Sequence, residues 1–313
     1  MAKASCYFSS LPSPFVSSIG RPNMLPAHIN VPRCCSQQPS SSPLATTLAE
    51  IQNSGVIACL RAKSAELAME AAHAALRGGI SVLEIVMSTP GVFEVLQELV
   101  RGHPTSIIGV GTVLNTIDAK NAIKAGAKFL MSPAMVKDIL DDVQSKEVLY
   151  IPGVMTPTEV LNAHSAGAII VKVYPVSSLG GAQYISALKK PFPHIPMVAS
   201  QGITVESLGT YIARGASAVV LSDAIFGKEA MDQQNFDAIR QLSQLAVSRG
   251  DEAVQSTGPG QGDFQLNQGL KRLAGFDIPS VCNGEREGKD SVQGEKKDSS
   301  REEGGREEKM EKK

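Results

Sequence analysis

The sequence predicts a single-domain α/β fold, a (β/α)8 TIM barrel with a disordered extension at each end. Three observations carry this. Short β-branched runs alternate with Ala-rich amphipathic segments of 10–15 residues over positions 46–248. The alternation repeats eight times, the count that closes a parallel barrel. Several of the helical segments stop at a Gly just before the next run.

In order, the runs are VIACL (56–60), VLEIVM (82–87), SIIGVGTV (106–113), FLMS (129–132), VLYIPGV (148–154), IIVKVYP (169–175), PMVAS (196–200) and AVVLS (218–222). A helix pattern follows each. The first, SAELAMEAAHAAL (64–76), opens on Ser64 as N-cap with Glu66 in its first turn. Helix stops are read at LRGGI, KAGAKF, HSAGAII and ARGASAV. The rival is an open doubly wound sheet, which would place a glycine fingerprint after its first strand. Here that strand runs into LRAKS, so the barrel is preferred.

The ends belong to a different composition. Residues 1–49 contain no Asp or Glu, ten Ser and only three Lys or Arg. Such a leader matches a plastid transit peptide, assigned to 1–45, and implies a chloroplast location. Residues 249–313 form a linker and tail, whose stretch 283–313 holds ten acids and nine bases. It buries too little apolar surface to offset its ordering entropy and is expected to be disordered.

Overall net charge is −1, which gives no electrostatic case for nucleic acid or an anionic membrane, and no run approaches a transmembrane span. Three of the five cysteines (Cys6, Cys34, Cys35) lie in the leader, and Cys59 and Cys282 show neither disulfide nor metal spacing. The five histidines are expected to be solvated or packed, without converging: His28 in the leader, His73 and His164 on helices, His103 and His194 in loops.

Two charges sit where none is expected. Strand alternation puts Ile170, Lys172 and Tyr174 on the inner face of their strand, with Ile169, Val171 and Val173 toward the helices. The same rule groups Val82, Glu84 and Val86. An amine and a carboxylate therefore enter one barrel interior. Burial disfavours the charged amine, which frees a nucleophile able to form an imine with a ketone, while a nearby carboxylate moves protons. A structural ion pair is the alternative for residues so placed.

The segments GGISVLEIVMSTP, IIGVGTVLN, FLMSPAM, LYIPGVMTPTEV and IIVKVYPVSSLGG, in that order over roughly 50–245, resemble the 2-keto-3-deoxy-6-phosphogluconate aldolase / 4-hydroxy-2-oxoglutarate aldolase family. The resemblance implies a class I aldolase, usually a homotrimer. Such an enzyme cleaves 2-keto-4-hydroxy acids to pyruvate and an aldehyde without metal or organic cofactor. It makes Lys172 the imine-forming lysine and Glu84 the general acid/base. It also places Thr112 on the pyruvate carboxylate, Pro133 and Tyr174 as pocket walls, and Ser200 where the family usually has Thr.

The chain departs from the family in two places. Ser88 stands where many members carry a carboxylate-binding Arg, and Arg61, at the end of the first strand, is the natural substitute. The family's phosphate-binding glycines are replaced by Gln201-Gly202 and by Ser222-Asp223-Ala224. A carboxylate beside a phosphate is repulsive by about 1–4 kcal/mol at surface-like dielectric. Acting as a helix N-cap, Asp223 would also occupy the amides a phosphate needs. Recognition of phosphate is therefore expected to be weakened, which favours an unphosphorylated keto acid. Two other classes of reading compete with the aldolase: a barrel that keeps the pyruvate pocket as a binding or regulatory protein, and a phosphate-binding isomerase or synthase.

Overall fold

The computed structural model describes residues 42–143 and 147–257. The transit peptide read at 1–45 and the tail read at 249–313 fall mostly outside them, as do Cys6, Cys34, Cys35, Cys282 and His28.

Among the described residues nine parallel strands form one sheet: β1 (Val56–Leu60), β2 (Val82–Val86), β3 (Ile107–Gly111), β4 (Phe129–Met131), β5 (Leu149–Ile151), β6 (Gly153–Val154), β7 (Val171–Val173), β8 (Met197–Ser200) and β9 (Ala218–Leu221). Their order is β5-β4-β3-β2-β1-β9-β8-β7-β6. The two edge strands, β5 and β6, are halves of one predicted run, separated by Pro152. Proline cannot donate to a ladder, so β5 pairs with β4 and β6 with β7, while the Pro152 carbonyl accepts from the Lys172 amide at 2.8 Å. The chain itself closes the ring, and eight staves result.

Helices α1 (Pro43–Ser54), α2 (Ala65–Arg77), α3 (Val92–Gly102), α4 (Thr116–Lys124), α5 (Lys137–Val143), α6 (Pro157–Ser165), α7 (Ala182–Lys189), α8 (Leu208–Ala213), α9 (Lys228–Asp232) and α10 (Phe236–Ser256) accompany the strands. Ser64 caps α2 by accepting from the Leu67 amide, as expected. Thr156 and Glu159 form a reciprocal capping box on α6. None of these helices is long and apolar enough to cross a membrane.

The four predicted helix stops share one geometry. Gly79, Gly126, Gly167 and Gly215 all have φ between 95° and 108°, a left-handed conformation that only glycine adopts without strain. At each, the glycine amide bonds back three residues and the next amide five, as in Ala127 to Ala122 and Ala168 to Ala163. This is the Schellman arrangement, and it turns each helix directly into the next strand.

Alternation along the strands separates two cores. Val56, Ala58, Leu60, Leu83, Ile85, Val171 and Val173 pack outward against the helices. Ile57, Val82, Phe129, Met131, Ile170 and Val198 fill the barrel. Ile169 differs from expectation: it precedes β7, outside the regular alternation, and packs against the inner cluster.

Helix α1 was not anticipated. Ser42 caps it, Pro43 occupies its first turn, and Leu48 and Ile51 join the interior cluster. It plugs the barrel at the strands' N-terminal ends, so the folded unit begins before residue 46. At the other end α10 continues to Ser256, past the expected boundary at 248.

Candidate active site

The lower half of the barrel is aliphatic and aromatic. Above it, each two residues beyond an interior apolar residue (Ile57, Val82, Ile170 and Val198), stand Cys59 on β1, Glu84 on β2, Lys172 on β7 and Ser200 on β8. Glu84, Lys172 and Ser200 are buried. Room for the carboxylate comes from β3. A Cβ added at Gly111 would lie 1.6 Å from Glu84 Oε1, so only glycine permits Glu84 its position.

Lys172 Nζ is 3.7 Å from Glu84 Oε1, with the side chains 8% and 1% exposed. Among the described residues the second oxygen, Glu84 Oε2, is buried without a hydrogen-bond partner. A buried ion pair adds little net stability over an apolar pair of similar volume, and an unpaired buried oxygen costs about 1–3 kcal/mol. Stability therefore does not account for this pair. Chemically it offers an amine and a carboxylate side by side in the buried interior of the barrel. The Tyr174 ring lies over the amine, 5.5 Å from Nζ to its centroid, within cation–π reach.

Cys59 was missed in the sequence as a site residue because it sits in an apolar run. It pairs in register with Glu84 and faces the interior cluster. Burial pushes its thiol up. The Glu84 charge raises it further, Lys172 lowers it, a hydrogen bond with Glu84 raises it, and Arg61 lowers it. The alternation that grouped Ile170 with Lys172 also groups Cys59 with Arg61, so the signal was present.

The remaining predicted residues ring the strands' C-terminal ends. Arg61 is exposed, one residue beyond β1. Thr112 follows β3 with φ of 60°, a rare conformation for a β-branched residue. Pro133 follows β4, and its carbonyl backs onto Gly153 so closely that a Cβ there would be 2.2 Å away.

Farther out, Gln201 also has positive φ, 87°, and its Oε1 accepts from Ser177 Oγ at 2.5 Å. Gly202 lies against the same serine. Asp223 is not a helix N-cap. Residues 222–226 form a turn in which the Ser222 carbonyl accepts from the Ile225 and Phe226 amides, and α9 begins later, capped by Gly227. Asp223 is exposed, and its carboxylate has no partner among the described residues.

The histidines do converge, contrary to expectation, but only in pairs. His73 Nδ1 is 3.0 Å from His103 Nε2, because the turn after α3 folds beside α2. The rings of His164 and His194 are 5.2 Å apart. Among the described residues no group of three or more His, Cys, Asp or Glu could hold a metal ion.

A family model described as KDPG and KHG aldolase matches residues 48–242. The 2-dehydro-3-deoxy-phosphogluconate aldolase of Pseudoalteromonas atlantica is 29% identical over 193 residues, 62% of this chain and 90% of that protein. The KHG/KDPG aldolase of Escherichia coli K12 is 26% identical over 192 residues, covering 61% and 90%. A solved structure of KDPG aldolase from Legionella pneumophila, with pyruvate captured at low pH as a covalent carbinolamine intermediate, superposes with a TM-score of 0.60. It is 28% identical and covers 64% of this chain and 97% of its own. The matched span runs from α1 into α10 and holds both buried charges, and on this evidence the chain belongs to the KDPG and KHG aldolase family.

Proposed function

We propose that the protein is a class I aldolase that cleaves 2-keto-4-hydroxy acids to pyruvate and an aldehyde, with Lys172 as nucleophile and Glu84 as general acid/base. The observation that carries this is the Lys172–Glu84 pair, 3.7 Å apart inside a barrel of this family.

Glu84 takes a proton from the Lys172 ammonium, and the freed amine adds to the C2 ketone to give a carbinolamine. Glu84 then hands that proton to the C2 hydroxyl, which leaves as water, and a protonated imine remains. Glu84 takes the proton of the C4 hydroxyl. The C3–C4 bond breaks, its electrons flow into the imine to form an enamine, and the aldehyde leaves. Glu84 returns the proton to C3, and water releases pyruvate from Lys172. Thr112 and Arg61 hold the keto-acid carboxylate at the rim. Pro133, Tyr174 and Ser200 shape the pocket around C2 and C3.

The distal end of the substrate meets Gln201, Gly202, Ser222 and Asp223. An exposed, unpaired Asp223 carboxylate opposes a phosphate dianion, which supports an unphosphorylated substrate such as 4-hydroxy-2-oxoglutarate over the phosphorylated sugar acid. The acid-free, Ser-rich leader supports a plastid location. Exposed apolar residues Leu114, Ile117, Met155 and Leu161 support assembly with further copies, a homotrimer on the family pattern.

Incubation with pyruvate and borohydride, followed by peptide mass spectrometry, tests the mechanism. A reduced pyruvate adduct on Lys172 is expected, and a protein that gives none is no class I aldolase. Faster cleavage of the phosphorylated than of the unphosphorylated substrate would refute the reading of Asp223.

A further inference from the structure

Thr112 holds a backbone conformation, φ of 60°, that a β-branched residue avoids. Its neighbour explains how. The Val113 side chain is fully buried in the layer between barrel and helices. Its amide donates to the Met131 carbonyl at 3.1 Å. Its carbonyl accepts from Ser132 Oγ at 2.6 Å. The backbone just after Thr112 is thus fixed at both polar groups and by packing.

Ser132 is itself held. The Tyr150 hydroxyl donates to Ser132 Oγ at 2.9 Å, and the Val136 amide donates to the Tyr150 oxygen at 3.1 Å. The direction of this relay is unambiguous. The Tyr150 proton goes to Ser132, so the Ser132 proton goes to the Val113 carbonyl, which can only accept. Ser132 is fully buried and Tyr150 is 3% exposed. Burial raises the Tyr150 phenol above its ordinary range, which keeps the donor protonated. Both side chains lie behind the barrel wall, away from Lys172, since Tyr150 and Leu130 pack in the outer layer. The relay ties the ends of β3, β4 and β5 together, and its contacts at 132 and 136 bracket Pro133.

We infer that Ser132 and Tyr150 are positioning residues for keto-acid binding: through the Val113 carbonyl they hold Thr112, and through the 132–136 segment Pro133, in the geometry that meets the substrate's carboxylate end. This rests on the role proposed above for Thr112. Neither hydroxyl touches substrate; each acts through the backbone.

The test is borohydride trapping of the full chain over a range of pyruvate concentrations, on wild type, Ser132→Ala, Ser132→Cys, Tyr150→Phe and the Ala/Phe double variant. In Ser132→Ala the half-saturating pyruvate concentration should rise about tenfold, as expected when a buried carbonyl loses its donor. The trapping rate at saturation should change less than about twofold, because Lys172 and Glu84 are untouched. Tyr150→Phe should give a smaller rise, Ser132→Cys an intermediate one as a weaker donor, and the double variant no more than Ser132→Ala alone. Half-saturation equal to wild type in a folded Ser132→Ala protein would overturn the inference. Should that variant fail to fold, unchanged half-saturation in Tyr150→Phe would do the same. Absence of any adduct in wild type would overturn the aldolase reading and this inference together, so the two failures are distinguishable.

Discussion

Lys172 and Glu84 meet across the barrel interior, 3.7 Å apart, although β1, β9 and β8 separate their strands in the sheet. Each charge is the other's principal compensation, and Glu84 Oε2 already lacks a partner. Removing one member should therefore cost more than removing both. Lys172→Met should destabilise the barrel by about 3–5 kcal/mol, and Lys172→Met with Glu84→Gln by clearly less. Urea unfolding of the two singles and the double measures this, and additive losses would contradict the coupling.

Gly111 tests the shape of the site. An added Cβ would occupy the place of Glu84 Oε1, so Gly111→Ala must displace the carboxylate. A shift of about 1 Å in a reacting group can cost on the order of 100-fold, and aldol cleavage should fall by at least that much while the circular dichroism spectrum is kept. At Gly109 the added atom would instead strike the Phe129 backbone and ring, and Gly109→Ala should fail chiefly in folding.

The barrel and its buried charge pair were legible because a strand has a period of two. Alternation alone put Lys172, Glu84 and the inner aliphatics on one side. Cys59 obeyed the same rule but was hidden by its apolar neighbours. What stayed illegible depends on where loops and ends pack. Helix α1 was masked by a leader-like composition, although Ser42-Pro43 is a good helix start. The His73–His103 contact joins a helix to a turn 30 residues away, which no local pattern reveals. Asp223 reads as a helix cap only if the helix starts beside it, and the 222–226 turn delays that start to Lys228.

Thr112 should carry stored strain. A left-handed backbone at a β-branched residue costs about 1–3 kcal/mol, and glycine would remove it while adding about 0.5–1 kcal/mol of unfolded-state entropy. Thr112→Gly should therefore raise unfolding stability by about 1 kcal/mol and weaken pyruvate binding. Loss of both stability and binding would show that the Thr112 side chain holds more than the carboxylate.

The histidine pair predicts a pH effect on stability. Burial, then His73, then Arg77 lower the His103 pKa below its ordinary 6.5. With the folded value below the unfolded one, the unfolded chain takes up the proton first as pH falls. Stability from this group is thus complete above about pH 6.5 and is lost as pH drops toward the folded value. The melting temperature should fall between pH 7 and 5, and His103→Gln should flatten that slope.

Cys59 gives a chemical readout of the field inside the barrel. Burial and the Glu84 charge push its thiol well above the ordinary range, against smaller opposing pulls from Lys172 and Arg61. Only the thiolate is alkylated. At pH 8, iodoacetamide should label Cys59 in the folded protein more than about tenfold slower than a free thiol, which is about one-quarter ionised there. The rate should still be climbing at pH 10, and urea should restore the ordinary rate. Neighbouring charges fix the direction of two further changes. Glu84→Gln removes the carboxylate that opposes the thiolate and should speed labelling. Lys172→Met removes a favourable cation and should slow it. Peptide-resolved mass spectrometry separates Cys59 from the other cysteines. Equal labelling in wild type and Glu84→Gln would mean that Cys59 does not sense the carboxylate, and that its register opposite Glu84 does not bring the two side chains together.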